Sequence, residues 1–331
     1  MTAQRETFPI GATTLDDFRP GSKLCGWLEV APGLSWPVQL PLLVARGVSS
    51  GPTVMAVAGV HGDEYEGMEA IRAVFATLDP ARMSGTFIGI PVANPFAYDA
   101  RARVAPLFVD GLNLARIFPG NPNGTPSAVL AHELFTFITR NLGADDLFID
   151  FHSGSADAAY ATIVGVRAQD GPIRAVSEEA ARHFGLTDLW EVPDSRGPLN
   201  AETTRAGIPT IGTETIGRAG FHHPGFDAYA TGLRNLLAFR GITDDPMPAP
   251  VSGPFRPTRD VLSPGTGFLR TKTTLYDDVV GGQRLGTIVD LFGDPIEEVI
   301  APATGTIWAA REMRAVRSGE VLFYVALDGA R

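Results

Sequence analysis

Cysteine occurs once in this chain, at Cys25, so an intrachain disulfide and a thiolate-ligated metal site are both excluded. Lysine is nearly as scarce: Lys23 and Lys272 are the only two, and arginine carries almost all of the positive charge. Arginine holds its charge and grips carboxylates with a two-pronged fork, so each arginine near a candidate site carries weight, while most of the others suit ordinary surface positions. Long apolar runs are missing as well. TVMAVAGV is typical and falls far below the ~20 residues that span a bilayer. The opening segment, MTAQRETFPIGATTLDDF, has no basic stretch followed by an apolar one, which predicts no signal peptide and a cytoplasmic protein. A net charge of −10 argues against nucleic acid or an anionic membrane as partner. What is present is a chain of 331 residues with 44% hydrophobic and 19% charged residues, enough for about two ordinary domains.

From about residue 50 to 240, apolar runs alternate with helical patterns. TVMAVAGV (53–60), TFIGIPVAN (86–94), DLFIDF (146–151) and PTIGTE (209–214) read as strands. EGMEAIRAVFATL (66–78), AVLAHELFTFITRNL (128–142), PIRAVSEEAARHFG (172–185) and LNAETTRAGI (199–208) read as helices. Continuous apolar strands separated by helices predict an α/β fold, a mostly parallel or mixed sheet with helices on both faces. Ligand sites in such sheets lie at the carboxyl ends of the strands. The pattern breaks at TDDPMPAPVSGPFRP (243–257), where five prolines in fifteen residues predict a stiff linker or an extended edge rather than a helix. Beyond it, two stretches of short strands punctuated by glycine predict a small all-β module with internal pseudo-symmetry, so the expected domains are 1–245 and 255–331. The module resembles the barrel sandwich of biotinyl and lipoyl carriers. The hairpin between its halves, DLFGDPIEE, has no lysine for a prosthetic group, which favours a structural or lid-forming role.

His61 and Glu64, in HGDE, stand at the end of the first of these strands, and His152, in DFHSG, at the end of another. Two imidazoles and one carboxylate are the usual protein ligands of a hydrolytic zinc, which leaves its fourth position to water. Taken singly, each has a plainer reading: His61 with its acidic neighbours as a helix start, His152 as a satisfied core histidine. Asp150 suits either an orienting partner for His152 or an acceptor for strand-end N–H groups. Glu214 closes the strand PTIGTE. His222 and His223 read first as loop residues, and His132 and His183 as ordinary helix residues.

Between the histidine motifs lies RVAPLFVDGLNLARIFPG (103–120). HGDE, R-x-x-P…DG-x-NL-x-R-x-FPG, DFHSG and GIPTIGTETIG, in that order, resemble the succinylglutamate desuccinylase/aspartoacylase family, amidohydrolase relatives of the zinc carboxypeptidases. The resemblance spans roughly residues 50–220, and the β module is also like that of family members. It implies a zinc carboxypeptidase-like fold and one Zn2+ per chain, held by His61, Glu64 and His152. It implies Glu214 as the base that activates water and later protonates the leaving amine. Positive charge at the oxyanion falls to the metal and Arg103. Arg116, with Asn113, is placed on the substrate, where a fork to a carboxylate is one reading and a tie to Asp110 the other. Where family members often have NLNR, this chain has Ala115 before Arg116, which removes an amide from the expected carboxylate site. The implied function is deacylation of a small N-acyl amino acid or related amide, with a homo-oligomer as one expected state of the chain. The alternatives are a metallocarboxypeptidase for short peptides and a metal-bearing binding or regulatory protein without turnover; a base at Glu214 speaks against the last.

Overall fold

The computed structural model describes residues 5–31, 37–218 and 220–328. Its centre is four parallel strands in the order Ser84–Ile90, Ser49–Val57, Leu147–Phe151 and Thr210–Glu214. Every residue of Leu147–Phe151 is buried, as its unbroken apolar sequence requires of a strand covered on both faces. Helices Tyr65–Thr77, Pro172–Phe184 and His223–Phe239 cover one face through Ile71, Val74, Phe184, Leu233 and Leu237. Helices Pro126–Asn141 and Leu199–Arg205 cover the other through Leu130, Leu134, Phe137 and Leu199. Gly185 ends its helix in the left-handed conformation, φ 99°, where glycine carries no Cβ penalty.

The chain runs from Ser49–Val57 outward to Ser84–Ile90, then returns to the other side with Leu147–Phe151. Strand order therefore reverses between Ser49–Val57 and Leu147–Phe151, and the crevice of an open α/β sheet forms at such a switch. His61 and His152 follow these two strands.

The sheet is wider and more mixed than the expected core. An antiparallel ribbon, Ser22–Ala31 with Val38–Arg46, extends the Ser84–Ile90 edge. On the other side Ile163–Arg167 runs antiparallel to Thr210–Glu214 and is followed by Leu189–Val192. Ser22–Ala31 and Ile163–Arg167 contain a glycine, Val38–Arg46 a proline, and Leu189–Val192 has only four residues, so pairing rather than local pattern establishes them.

The C-terminal region sets a four-stranded sheet against the end of the main sheet, around one core that includes Val261, Leu269, Ile288, Ile307, Phe323 and Val325. The hairpin between Arg284–Val289 and Pro295–Ile300 presents Leu291 and Phe292 to solvent. The module is joined to the preceding sheet by strand pairing. Arg256–Leu262 pairs in parallel with Leu189–Val192, and Gly305–Arg311 pairs with Ala158–Tyr160, so one 14-stranded sheet runs through both regions. Trp308 is buried at this join with Ala161, Ile163 and Ala326, against Trp190, and the Arg256 guanidinium lies 5.0 Å from its ring centroid. No described helix is long and apolar enough to cross a membrane.

Trp308→Ala removes a buried aromatic from the join and is expected to cost about 3–5 kcal/mol in urea unfolding. Phe292→Ala, at the exposed hairpin tip, is expected to stay within about 0.5 kcal/mol of the parent. Equal losses in the two variants would mean that the join is not where the module is held.

Candidate active site

Local backbone demands put the first motif in place. A Cβ on Gly62 would lie 2.1 Å from the carbonyl carbon of Ala97, so only glycine lets the chain pass between His61 and Asp63. Glu64 then sits in an extended conformation immediately before helix Tyr65–Thr77. The second motif continues the ladder, with the His152 N–H donating to Thr213 O at 3.1 Å. Two residues on, a Cβ at Gly154 would meet Ala158 O at 2.0 Å, and the tight turn it permits brings Ser155 back over Glu64.

Both imidazoles converge on one carboxylate. His61 Nδ1 is 2.7 Å from Glu64 Oε1, and His152 Nδ1 is 2.9 Å from Glu64 Oε2. The outer nitrogens are held too. His61 Nε2 lies 3.2 Å from Asn113 Oδ1, an oxygen that also accepts the Ala115 N–H at 3.0 Å, which fixes the orientation of that amide. His61 Nε2 must therefore donate, leaving the Nδ1 lone pair facing a carboxylate oxygen. A proton or a metal ion can bridge that pair, and burial, the largest influence on His61, lowers its affinity for a proton while Glu64 opposes the shift. His152 Nε2 is within ion-pair distance of Asp150, 3.3 Å, without a well-aligned hydrogen bond. Burial would depress His152 as well, but Asp150 and Glu64 together raise it well above the usual imidazole range. Glu64, despite its own burial, is held well below the usual carboxylate range by the two histidines. Among the described residues, His61, Glu64 and His152 form a group able to hold a metal ion, with one donor atom from each all within 4.8 Å. The donor set and the orientation of His61 both fit that use.

The other candidates separate. Arg103 Nη1 donates to Glu64 Oε1 at 2.9 Å and to Ser155 Oγ at 2.8 Å, so it steadies the acidic member of the cluster while lining the cavity. Glu214 lines the same cavity, and its Oε2 is enclosed without a partner. Burial pushes the Glu214 carboxyl up to about 8; Glu64 and Asp150 add to the shift, while His152 and Arg103 oppose it. Arg116 is exposed at the cavity and makes no ion pair among the described residues; its Nη1 donates to Ala115 O at 3.0 Å. Asp110 is engaged elsewhere, accepting from Leu112 N, Ser127 N and Ser127 Oγ. Asn113, expected on the substrate, has its oxygen taken up by His61 and the Ala115 N–H. Ala115 is buried against the core. Asp63 Oδ2 accepts the Ala156 N–H at 3.1 Å and so ties the two histidine loops together. His222 caps helix His223–Phe239 through Gly225 N, and His183 stacks on Phe239.

The cavity, about 330 Å³, also takes residues that no local motif announced. Arg167 is one; its Nε and Nη1 donate to Asn200 Oδ1 and Pro193 O, and burial lowers it to about 10, still a cation at neutral pH. Others are Tyr160, Trp190, Asp260 and Tyr324, the last two from the C-terminal module. Only strand pairing brings these distant segments together, and the sequence carries no spacing signal for them.

The model of the succinylglutamate desuccinylase/aspartoacylase catalytic domain matches residues 50–240. A curated relative, the N-alpha-acetyl-L-2,4-diaminobutyric acid deacetylase of Halomonas elongata, is 27% identical over 98% of this chain and 96% of its own length. Among solved structures, a succinylglutamate desuccinylase/aspartoacylase from Rhodobacter sphaeroides superposes with a TM-score of 0.82 at 27% identity, covering 94% of this chain and 98% of that one. The product-bound ectoine utilization protein EutE (DoeB) from Ruegeria pomeroyi matches with a TM-score of 0.82 at 26% identity, over 94% of this chain and 97% of that one. With its fold, its His–Glu–His cluster and a family model that spans more than half of its length, the chain belongs to the succinylglutamate desuccinylase/aspartoacylase family.

Proposed function

We propose that this protein is a zinc-dependent deacylase that hydrolyses the amide of a small N-acyl amino acid. The observation that carries the reading is the convergence of His61 Nδ1 and His152 Nδ1 on the Glu64 carboxylate, beside an enclosed Glu214 carboxyl in the same cavity. Family membership supports an amide-bond hydrolase, and the deacetylase named for N-alpha-acetyl-L-2,4-diaminobutyric acid supports an N-acyl amino acid as substrate class. The cavity volume suits a small molecule better than a peptide.

His61, Glu64 and His152 hold the ion in this reading. A zinc there supplies a water of lowered pKa and positive charge for the developing oxyanion. Glu214 takes the proton of the attacking water and returns it to the departing amine, a role open to an enclosed carboxyl that lines the same cavity as the two histidines. Arg103 adds a second positive charge where the oxyanion forms, held in position by Glu64 and Ser155. Arg116, with no carboxylate on it among the described residues, receives the substrate carboxylate. Asn113 acts through His61, whose ring it orients.

Purified protein is expected to carry about one zinc per chain by elemental analysis. His152→Ala should lose that metal under chelator challenge. Glu214→Gln should keep it while kcat falls about 10²–10⁴-fold, the usual loss of a general base. Full occupancy in the first variant, or loss of metal in the second, would reverse the division between ligand and base.

A second expectation concerns metal-stripped protein. The Glu214 carboxyl titrates near about 8 when folded and near 4.5 otherwise, so folding takes up a proton between those values and stability declines as pH rises through that window. Gln cannot titrate. The Tm of Glu214→Gln relative to wild type should therefore climb from pH 4.5 to 8. A difference independent of pH would mean that Glu214 is ionised throughout.

Arg116→Ala should raise KM for an N-acyl amino acid about tenfold or more with little change in kcat, since the anchor acts in ground and transition states alike. The comparison pairs a free-acid substrate with its primary amide; hydrolysis of the acid at wild-type efficiency would make Arg116 structural.

A further inference from the structure

We propose that Glu202 is a positioning residue for the substrate anchor: its carboxylate holds the turn 194–198 closed against the main chain of Arg116. The inference rests on the deacylase reading above, in which Arg116 receives the substrate carboxylate, and it names the residues that decide where that carboxylate is held.

Arg116 has little side-chain support of its own. Its guanidinium donates to the adjoining Ala115 carbonyl and meets no carboxylate among the described residues, and Ala115 brings no hydrogen-bonding side chain. The place of the cation therefore follows the place of its main chain. On one side that main chain is held by Asn113, whose amide oxygen accepts the Ala115 N–H at 3.0 Å. On the other it is held by Gly197. The Phe118 N–H donates to Gly197 O at 3.1 Å, and a Cβ on Gly197 would lie 2.4 Å from Arg116 O. Gly197 also stands at φ 102°, a conformation that side chains rarely adopt, so the close approach and the backbone both require glycine.

One buried carboxylate keeps this turn in place. Glu202 belongs to helix Leu199–Arg205, whose Leu199, Ala201 and Thr203 are also buried. Glu202 Oε1 accepts the Gly197 N–H at 3.1 Å and Arg205 Nη1 at 3.0 Å, and Oε2 accepts Arg196 Nη1 at 3.1 Å. Arg205 extends the hold round the turn, donating to Ser195 O at 3.0 Å and pairing with Asp194. The Glu202 side chain is only 5% exposed, so water cannot stand in for these partners. Ser195, Arg196 and Pro198 line the cavity together with Arg116, which makes the clamped turn a wall of the same space.

The clamp is separate from the bond-breaking end. None of its hydrogen bonds reaches His61, Glu64, His152, Arg103 or Glu214. Loosening it should move the anchor and leave the chemical step alone.

The test uses the zinc-loaded full chain and two variants. Glu202→Gln removes the charge with little change of shape, and Arg205→Ala frees the turn from its outer side while Glu202 stays. The kinetic probes are N-acetylalanine, N-acetylglutamate and Nα-acetylornithine, each with its primary amide. For a probe that wild type hydrolyses, Glu202→Gln should raise KM for the free acid about tenfold with kcat little changed, and should narrow the preference for acid over amide. Arg205→Ala should do the same more weakly. In an Arg116→Ala background Glu202→Gln should raise KM no further, because a residue that acts through Arg116 then has nothing left to act on. Hydrogen exchange gives a readout without turnover: Glu202→Gln should speed exchange at the Gly197 and Phe118 amides and leave residues 61–64 as in wild type. KM effects that add to those of Arg116→Ala, or exchange that rises everywhere alike or at neither amide, would make Glu202 a support of the fold alone and overturn the proposal. Should Glu202→Gln fail to fold, Arg205→Ala carries the same comparisons. If wild type hydrolyses no probe, the deacylase reading fails, and exchange alone decides whether Glu202 governs the Arg116 main chain.

Discussion

The Glu64 carboxylate sits out of water with an imidazole on each oxygen and the Arg103 guanidinium on one of them, and a buried charge of that kind persists only while its partners stay in place. Three separate segments must meet to satisfy it: the turn after Ser49–Val57, the loop that carries Arg103 and the turn after Leu147–Phe151. Their meeting point is the switch in strand order, so the topology of the sheet and the neutralisation of one carboxylate are the same requirement seen at two scales. Gly62 and Gly154 follow from it, since any Cβ there would force the turns apart. Ser155 follows as well: its hydroxyl fills the remaining hydrogen-bond position between Glu64 and Arg103, and its backbone is held at φ 53° to do so.

Around this point the field is uneven. The chain as a whole carries −10, yet the cavity walls bring four arginines together. Arginine suits this work because its guanidinium remains a cation in places where a lysine would give up its proton, and Arg167 does so even when burial draws it down to about 10. Glu214 shows the opposite response, a carboxyl kept close to neutrality by enclosure and by two like-charged neighbours. The cationic and acidic groups of one small cavity are thereby pushed in directions that leave both usable at ordinary pH.

The meeting of His61, Glu64 and His152 was legible because each is announced by its own few neighbours. An apolar strand ending in His61, Gly62, Asp63 and Glu64, and another ending in His152, Ser153 and Gly154, are local patterns, and the helices between them keep a clear 3.6-residue rhythm. The position of Glu214 was legible for the same reason. The link of Asn113 to His61 was not, because its effect depends on where one amide oxygen points. Nor did any pattern foretell that Asp260 and Tyr324 would face the same space as Arg103. Pairing between Arg256–Leu262 and Leu189–Val192 makes that contact, and strand partners so far apart in sequence leave no local trace. The proline-rich stretch runs without helix or strand up to Arg256, and the strands beyond it gather round a core of their own while pairing with the preceding sheet.

The continuous sheet bears on how such proteins diversify. The C-terminal strands carry part of the cavity wall and are mounted on the catalytic region by backbone hydrogen bonds, which are indifferent to side-chain identity. Residues on their cavity face are therefore free to vary without disturbing the mounting, and a module inherited whole brings a new wall with it. A change on that face would remake one wall of the cavity and leave the hydrogen-bond ladder as it is.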